Sequence, residues 1–134
     1  MDRLFLDANV LFSAAYSLNS PLSRFWRLPN VSLGSSRYAV EEARVNLATP
    51  AQRERLQSLA AKLHLTDADY SLRTSTEAIP LPEKDRPILL AAIAARASHL
   101  ITGDIRHFGP FFGKSVRGIL ILPPADYLKL ALGN

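Results

Sequence analysis

RLFLDANVLF, residues 3–12, is the stretch around which the rest of the chain is organised. Four residues typical of strands lead into Asp7, and an apolar segment compatible with a helix follows at once. A strand that is apolar on both faces is typical of the centre of a parallel sheet covered on both sides. Such sheets bind ligands beyond the carboxyl ends of their strands, where Asp7 and Asn9 are expected to stand. Taken alone, Asp7 is explained equally well as the N-cap of the next helix.

A second apolar segment, residues 99–102, is also followed by an acidic residue, Asp104. If the two strands are neighbours, their tips lie about 5 Å apart. Carboxylates so close together repel each other unless a cation neutralises them. Mg²⁺ and Mn²⁺ are hard ions that prefer oxygen ligands of this kind. The pair of acidic strand ends therefore favours a metal site over a simple helix cap.

The composition is that of a folded protein: 134 residues, of which 48% are hydrophobic and 21% charged. We expect one domain spanning residues 1–134. The sequence has no cysteine, which excludes disulfides, thiolate zinc sites and a cysteine nucleophile. A net charge of +4 favours anionic partners, with nucleic acid first among them.

A membrane or secreted location is not expected. The longest apolar run, residues 88–95, is far shorter than the roughly 20 residues that a membrane span requires. Asp2 and Asp7 interrupt the charge pattern of a signal peptide. We therefore expect a cytoplasmic protein.

Strand and helix signals alternate along the chain, which predicts an α/β/α sandwich with a parallel sheet. Besides the first strand, strands are predicted at residues 31–33, 64–66, 99–102 and 116–122. Helices are predicted at residues 10–17, 37–47, 50–63, 88–97 and 125–132, with a further one opened by Ser20 and Pro21. Residues 67–82 are polar and contain prolines, so they are predicted as a surface loop or a loosely helical link, and residues 103–110 are predicted as a loop because they contain two glycines and a proline.

Two further acidic positions lie at helices. Glu41 and Glu42 are adjacent, so they point about 100° apart. Either one of them lies near the margin of the apolar face of its helix, where it could face a cleft, or both are solvated. Asp85 precedes Pro87 and the most apolar helix, so it is a candidate N-cap, a candidate ligand, or both. Asp85 and one of the two glutamates, together with Asp7 and Asp104, would form an all-oxygen site that binds phosphate oxygens and activates a water.

Four segments, in this order, resemble the PIN domain family: LFLDANVL at 4–11, VEEA at 40–43, KDRPIL at 84–89 and LITGD at 100–104. HFGP at 107–110 is similar to members associated with VapC-type toxins. The resemblance covers essentially the whole chain. It implies a PIN-like three-layer α/β/α domain with a five-stranded parallel sheet and a Mg²⁺- or Mn²⁺-dependent ribonuclease activity.

The resemblance also implies roles for single residues. By position, the metal ligands would be Asp7, Glu42, Asp85 and Asp104, and the polar residues that orient ligands or water would be Asn9 and Thr102. Glu42 matches better than Glu41 because it directly precedes an apolar residue, Ala43. The implied partners are an RNA substrate and, for a toxin, an antitoxin that occludes the acidic cleft; homodimers are common in the family. Arg106 is our own candidate for a phosphate contact, because it follows Asp104 on the same loop.

The chain departs from the family pattern after Asp104. Many PIN nucleases carry another acid there, whereas this chain has Ile105, Arg106 and His107, which leaves one or two metals open. His107 is either a proton donor or a structural residue. Two other functions stay open: a degenerate PIN-like module that binds RNA or protein, and a phosphohydrolase of the haloacid dehalogenase type, for which Asn9 stands where an acid is expected.

Overall fold

A computed structural model of the chain describes residues 1–66 and 86–133. In this part of the chain, six strands form one sheet in the order β3-β2-β1-β4-β6-β5. The strands are β1 (Asp2–Leu6), β2 (Val31–Ser36), β3 (His64–Thr66), β4 (His99–Ile101), β5 (Ser115–Val116) and β6 (Ile119–Leu122). Five strands are parallel, and β5 adds an antiparallel edge to β6.

The helices connect these strands and mostly begin at capping side chains. They are α1 (Ala8–Tyr16), α2 (Arg37–Asn46), α3 (Pro50–Ala60), α4 (Arg86–Ala94), α5 (Ile105–Phe108) and α6 (Pro124–Leu132), with 3₁₀ helices at Pro21–Arg27 and Gly109–Phe111. Ser36 caps α2, and Thr49 caps α3 in a reciprocal capping box with Gln52. Ser20 caps the first 3₁₀ helix, as predicted.

Side chains of β1 alternate between two apolar cores, one on each face of the sheet. Leu4 and Leu6 pack into the core shared with α1, α2, α3 and α6, whereas Phe5 packs into the core shared with α4. Both faces of the strand are therefore buried, as its apolar sequence predicts. This arrangement confirms the three-layer α/β/α fold.

The end of α1 is anchored to α3 by side chains. Gln52 and Arg55 both donate hydrogen bonds to the carbonyl oxygen of Tyr16, each at 3.2 Å, and Arg55 also donates to Ala15 at 3.0 Å. These bonds satisfy carbonyls that a helix end leaves unpaired. They hold α1, which carries Asn9, in a defined position over the sheet.

Two predicted elements were wrong. The predicted strand 116–122 is a hairpin, because Arg117 and Gly118 turn the chain with φ values of 54° and 82°. The predicted loop 103–110 contains α5, because the Asp104 side chain caps its first turn. The loop predicted for residues 67–82 and the predicted site residue Asp85 lie outside the described residues.

None of the helices in the described part of the chain combines the length and the apolar character that crossing a membrane requires.

Candidate active site

The site lies where β1 and β4 end side by side. The register pairs Leu6 with Ile101, and the ladder continues as the Asp7 amide donates to the Ile101 carbonyl at 3.0 Å. Asp7 therefore lies next to Thr102. β1 and β4, the two strands that are followed by acidic residues in the sequence, are therefore neighbours, as the prediction of a metal site requires.

Both oxygens of Asp7 accept hydrogen bonds. Oδ1 accepts from the amide of Ala8 at 2.7 Å, which caps α1. Oδ2 accepts from the hydroxyl of Thr102 at 2.8 Å and from Nδ2 of Asn9 at 3.2 Å. The side chain is thus a helix cap and a fixed carboxylate at the strand edge at the same time.

Asn9 and Thr102 hold Asp7 in place, and they also hold the loop after β4. Oδ1 of Asn9 accepts from the amide of Gly103 at 2.8 Å, and the hydroxyl oxygen of Thr102 accepts from the amide of Asp104 at 3.1 Å. Nδ2 of Asn9 also lies 3.3 Å from the Thr102 hydroxyl. The network therefore sets the position of Asp104 relative to Asp7.

Asp104 is held from its other side by His107, one turn along α5. Oδ1 accepts from the backbone amide of His107 at 3.1 Å, and Oδ2 lies 2.8 Å from Nδ1 of its imidazole. Burial by itself raises the pKa of Asp104. The hydrogen bonds from the side chain and backbone of His107 outweigh it, so the pKa is below its ordinary value.

The two neighbouring glutamates on α2 face different environments. Glu41 is paired with Arg44 at 2.6 Å on the exposed surface. Glu42 lines the cavity that also holds Asp7 and Asp104. Of the two glutamates, Glu42 lines the cavity and Glu41 does not.

A cavity of about 990 Å³ collects these groups. Its acidic lining consists of Asp7, Glu42 and Asp104, and Asn9 and His107 contribute to its wall. The remaining lining is formed by Ala8, Phe12, Ser36, Tyr38, Ala39, Ala43, Asn46, Pro87, Ile88 and Phe108. Arg106 is exposed on α5 and does not line the cavity. Thr102 is fully buried and does not line the cavity either.

The acidic side chains perturb each other. Burial raises the pKa of Asp7, and the charge of Asp104 adds to the rise, although hydrogen bonds from Thr102 and Ala8 oppose it. Burial and the charge of Asp7 raise the pKa of Glu42. Asp7 is therefore electrostatically coupled to an acid on β4's loop and to another on α2. A bound cation stabilises the charged form of carboxylates whose pKa is raised in this way.

The donor chemistry fits a hard divalent ion, since these three side chains offer only oxygen. Within residues 1–66 and 86–133, however, no group of three acidic or histidine side chains is spaced so that it could hold a metal ion. Asp85, the fourth predicted ligand, is outside those ranges. The described residues thus supply suitable ligands without completing the ligand set.

Sequence reasoning missed Tyr38 and Asn46, which share the cavity-facing side of α2 with Glu42. The signal was present in the spacing, because residues four apart lie on the same helix face. Ser36 also lines the cavity and was not singled out. The sequence did point to His107, whose imidazole contacts Asp104.

Comparison with solved structures finds the same fold. A chain of VapBC2 from Rickettsia felis, solved bound to a DNA fragment from its promoter, has a TM-score of 0.65 at 16% identity, covering 90% of this chain and 98% of that chain. A chain of a toxin–antitoxin complex from Klebsiella pneumoniae has a TM-score of 0.61 at 18% identity, covering 87% and 95%. A chain of FitAB bound to the IR36 DNA fragment has a TM-score of 0.53 at 18% identity, covering 90% and 94%.

No curated protein sequence matches the chain. A sequence profile described as the PIN domain matches residues 3–106, which include β1, α2 and β4 with the acids that follow or lie on them. The PIN family is a nuclease-type family. The chain belongs to the PIN domain family.

Proposed function

We propose that this PIN domain is an endoribonuclease that depends on Mg²⁺ or Mn²⁺. The observation that carries the proposal is the cavity at the strand ends, which Asp7, Glu42 and Asp104 all line. In it the charge of Asp104 helps to raise the pKa of Asp7, and the charge of Asp7 helps to raise the pKa of Glu42. Carboxylates gathered in this way are typical of sites that handle phosphodiesters.

Asp7, Glu42 and Asp104, with Asp85 as the predicted fourth ligand, would hold the ion. When bound, it would neutralise these acids and supply positive charge for the developing charge on a phosphodiester. The chain's own contribution is orientation: Thr102 and Asn9 fix Oδ2 of Asp7, and His107 fixes Asp104. Preorganised ligands lose little entropy when substrate arrives.

RNA as substrate is supported by the net charge of +4, which favours nucleic acid in spite of the acidic cavity. Arg106 is exposed and directly follows the Asp104 loop, outside the cavity lining. It would contact a phosphate that lies beyond the one at the acids. Arginine suits this contact because its guanidinium binds phosphate with two parallel hydrogen bonds.

The proposal includes a cytoplasmic toxin role with an antitoxin partner and a homodimeric assembly. It draws support from the fold, which the chain shares with chains of VapBC2, FitAB and a Klebsiella toxin–antitoxin complex. An antitoxin segment that covers the acidic cavity would block access of RNA to Asp7. Growth arrest on induction, relieved by a protein encoded beside the gene, would test this role.

A catalytically weak RNA- or protein-binding module is the second candidate. One observation favours it: the acidic and histidine residues in the described ranges do not by themselves form a metal-holding group of three. The two candidates differ in metal dependence, because a binding module needs no divalent ion for chemistry.

Cleavage of labelled single-stranded RNA tests the proposal. We expect activity with Mn²⁺ or Mg²⁺, its loss in EDTA and its return when the ion is restored. Asp7→Asn and Asp104→Asn should each lower the rate about 100-fold or more, because each removes charge from the cluster. Glu41→Gln is the matched control, since Glu41 is exposed and paired with Arg44. Cleavage that survives EDTA and both aspartate substitutions would rule out this site.

A further inference from the structure

Tyr38 is a large aromatic side chain that the fold leaves open at the edge of the acidic cavity. It is 67% exposed, although it lines the same cavity as Glu42 and Asp7. No hydrogen bond or ring contact joins it to another described residue. Hydrogen bonds and ring contacts within residues 1–66 and 86–133 therefore do not account for its position.

The position of Tyr38 on α2 places its ring next to the acids. Tyr38 and Glu42 are four residues apart, so they share one helix face about one turn, or roughly 5.4 Å, apart. Ala39 and Ala43 of the same helix also line the cavity, and both are small and buried.

Apolar side chains form another part of the cavity lining. Phe12 of α1 and Ile88 of α4 line the cavity, together with Pro87. The cavity lining thus combines acidic side chains, suited to a phosphate held through a cation, with apolar side chains and an exposed ring. A nucleotide has the same two parts, an anionic phosphate and a flat base.

We propose that Tyr38 is the base-stacking residue of the RNA site, with its ring against the face of an unpaired base adjacent to the scissile phosphate. This inference rests on the proposed function, since it takes RNA as the occupant. Stacking on an aromatic ring requires a base that is free of its duplex, and it tolerates different bases because each has a π-face. Tyr38 is a substrate-binding residue and takes no part in proton transfer or metal binding.

Binding of fluorescent RNA tests the inference without cleavage. Unstructured oligonucleotides of about 12 residues, each with one 2-aminopurine, are titrated with protein in Ca²⁺, and the dissociation constant and the stacking-induced quench are recorded. Tyr38→Ala should raise the dissociation constant about 5- to 100-fold and abolish the quench at one position. Tyr38→Phe and Tyr38→Trp should keep both, because they retain the ring.

Tyr16→Ala is the matched control, since Tyr16 is another exposed tyrosine, 56% exposed, that does not line the cavity. It should bind RNA like the wild type. Circular dichroism and thermal melting verify that every variant is folded; an exposed helical tyrosine is expected to tolerate alanine.

A double-mutant cycle identifies the stacked base. A series of RNAs carries one abasic site at successive positions. One of these positions should weaken binding by the wild type, and the abasic site at that position should not weaken binding by Tyr38→Ala any further. Additive effects at every position would overturn the inference. So would wild-type affinity in Tyr38→Ala, the result expected if Tyr38 docks a protein, or a Tyr38→Phe variant as weak as Tyr38→Ala.

The outcomes separate the two proposals. Cleavage by the wild type with no effect of Tyr38→Ala on binding would overturn the role of Tyr38 and keep the nuclease. Binding that depends on Tyr38 without any metal-dependent cleavage would support the stacking role and overturn the nuclease.

Discussion

Thr102 is, with Asn9, one of two residues whose side chains join Asp7, at the end of β1, to the loop after β4. It is fully buried, donates to Asp7 and accepts from the amide of Asp104. Thr102→Val keeps the shape but leaves the carboxylate of Asp7 and the amide of Asp104, both half-buried, without this partner. We expect a loss of about 1–3 kcal/mol in the free energy of unfolding, measured by urea denaturation.

Thr66→Val is the control for this substitution. Thr66 is half-buried on an edge strand and donates one long hydrogen bond of 3.4 Å to Ser35. The substitution should change the free energy of unfolding by less than about 0.5 kcal/mol. Equal losses in the two variants would contradict the role assigned to Thr102.

Glu42 is a residue whose charge costs stability when no ion is bound. Because its pKa is raised by burial and by Asp7, its contribution to stability is fully present below its ordinary pKa near 4.5 and is lost as pH rises through the raised value. Glu42→Gln should therefore stabilise the metal-free protein at neutral pH, by less than about 1 kcal/mol since the group is largely exposed. Urea denaturation in EDTA at several pH values measures the difference, which should vanish below about pH 4.

Glu41→Gln should show the opposite sign. The hydrogen bond from Arg44 lowers the pKa of Glu41, so its contribution is present above its ordinary pKa and is lost as pH falls through the lowered value. Neutralising it removes a surface ion pair and should slightly destabilise the protein at neutral pH. Stabilisation of both variants would indicate a general charge effect instead of repulsion at the cavity.

At the scale of elements, the β5–β6 hairpin shows how two residues divide one apparent strand. Gly118 has a φ of 82°, and a Cβ atom there would meet nothing within 4 Å. Any substitution is therefore penalised by backbone conformation and not by contacts. Gly118→Ala should cost about 1 kcal/mol of unfolding free energy in urea denaturation.

The choice of side chain at this turn provides the internal control. Asparagine adopts positive φ more readily than alanine, and β-branched valine is the least suited to it. The loss should therefore rise in the order Gly118→Asn, Gly118→Ala, Gly118→Val. Equal losses would show that the turn conformation does not set the stability of the hairpin.

At the scale of the whole molecule, Tyr127 ties α6 to the start of β1. Its hydroxyl donates to Oδ2 of Asp2 at 2.6 Å, and its ring packs against Phe25 and the edge of His99. Tyr127→Phe keeps the ring and removes the bond across the molecule. We expect a loss of about 1–2 kcal/mol in urea denaturation at neutral pH.

The hydrogen bond from Tyr127 to Asp2 also makes stability depend on pH in the alkaline range. Burial and the hydrogen bond to Asp2 raise the pKa of Tyr127, so the stability that its neutral phenol contributes is present below its ordinary pKa of 10.0 and is lost as pH rises above it. Wild-type stability should fall more steeply above that pH than the stability of Tyr127→Phe. A slope in Tyr127→Phe as steep as that of the wild type would contradict this role of the Tyr127 hydroxyl.

Much of the architecture was readable from local pattern. The doubly apolar strand before Asp7 and the alternation of strand and helix signals predicted three layers, and both cores confirm them. Element ends were predicted less well where a single side chain decides them. Asp7 starts α1 at Ala8, two residues before the predicted start, and Asp104 creates a helix inside a predicted loop.

The residues of the candidate site were also predicted only in part from the sequence. Motif order alone singled out Asp7 and Asp104, since an acid after an apolar strand is visible in the sequence. It also favoured Glu42 over Glu41, but by family resemblance and not by geometry. The cavity-facing position of Tyr38 went unnoticed, although its spacing of four residues from Glu42 places both side chains on one face of α2.

By itself, therefore, the sequence determined the layers of this PIN domain and the acids at its strand ends, because hydrophobic periodicity and strand termination are local properties. Only the tertiary structure decided that Asp7 and Asp104 share Thr102, and that α2 turns Glu42 and Tyr38 into their cavity. Strand register and the rotation of a helix about its axis are set by packing between distant segments, and no single segment encodes them.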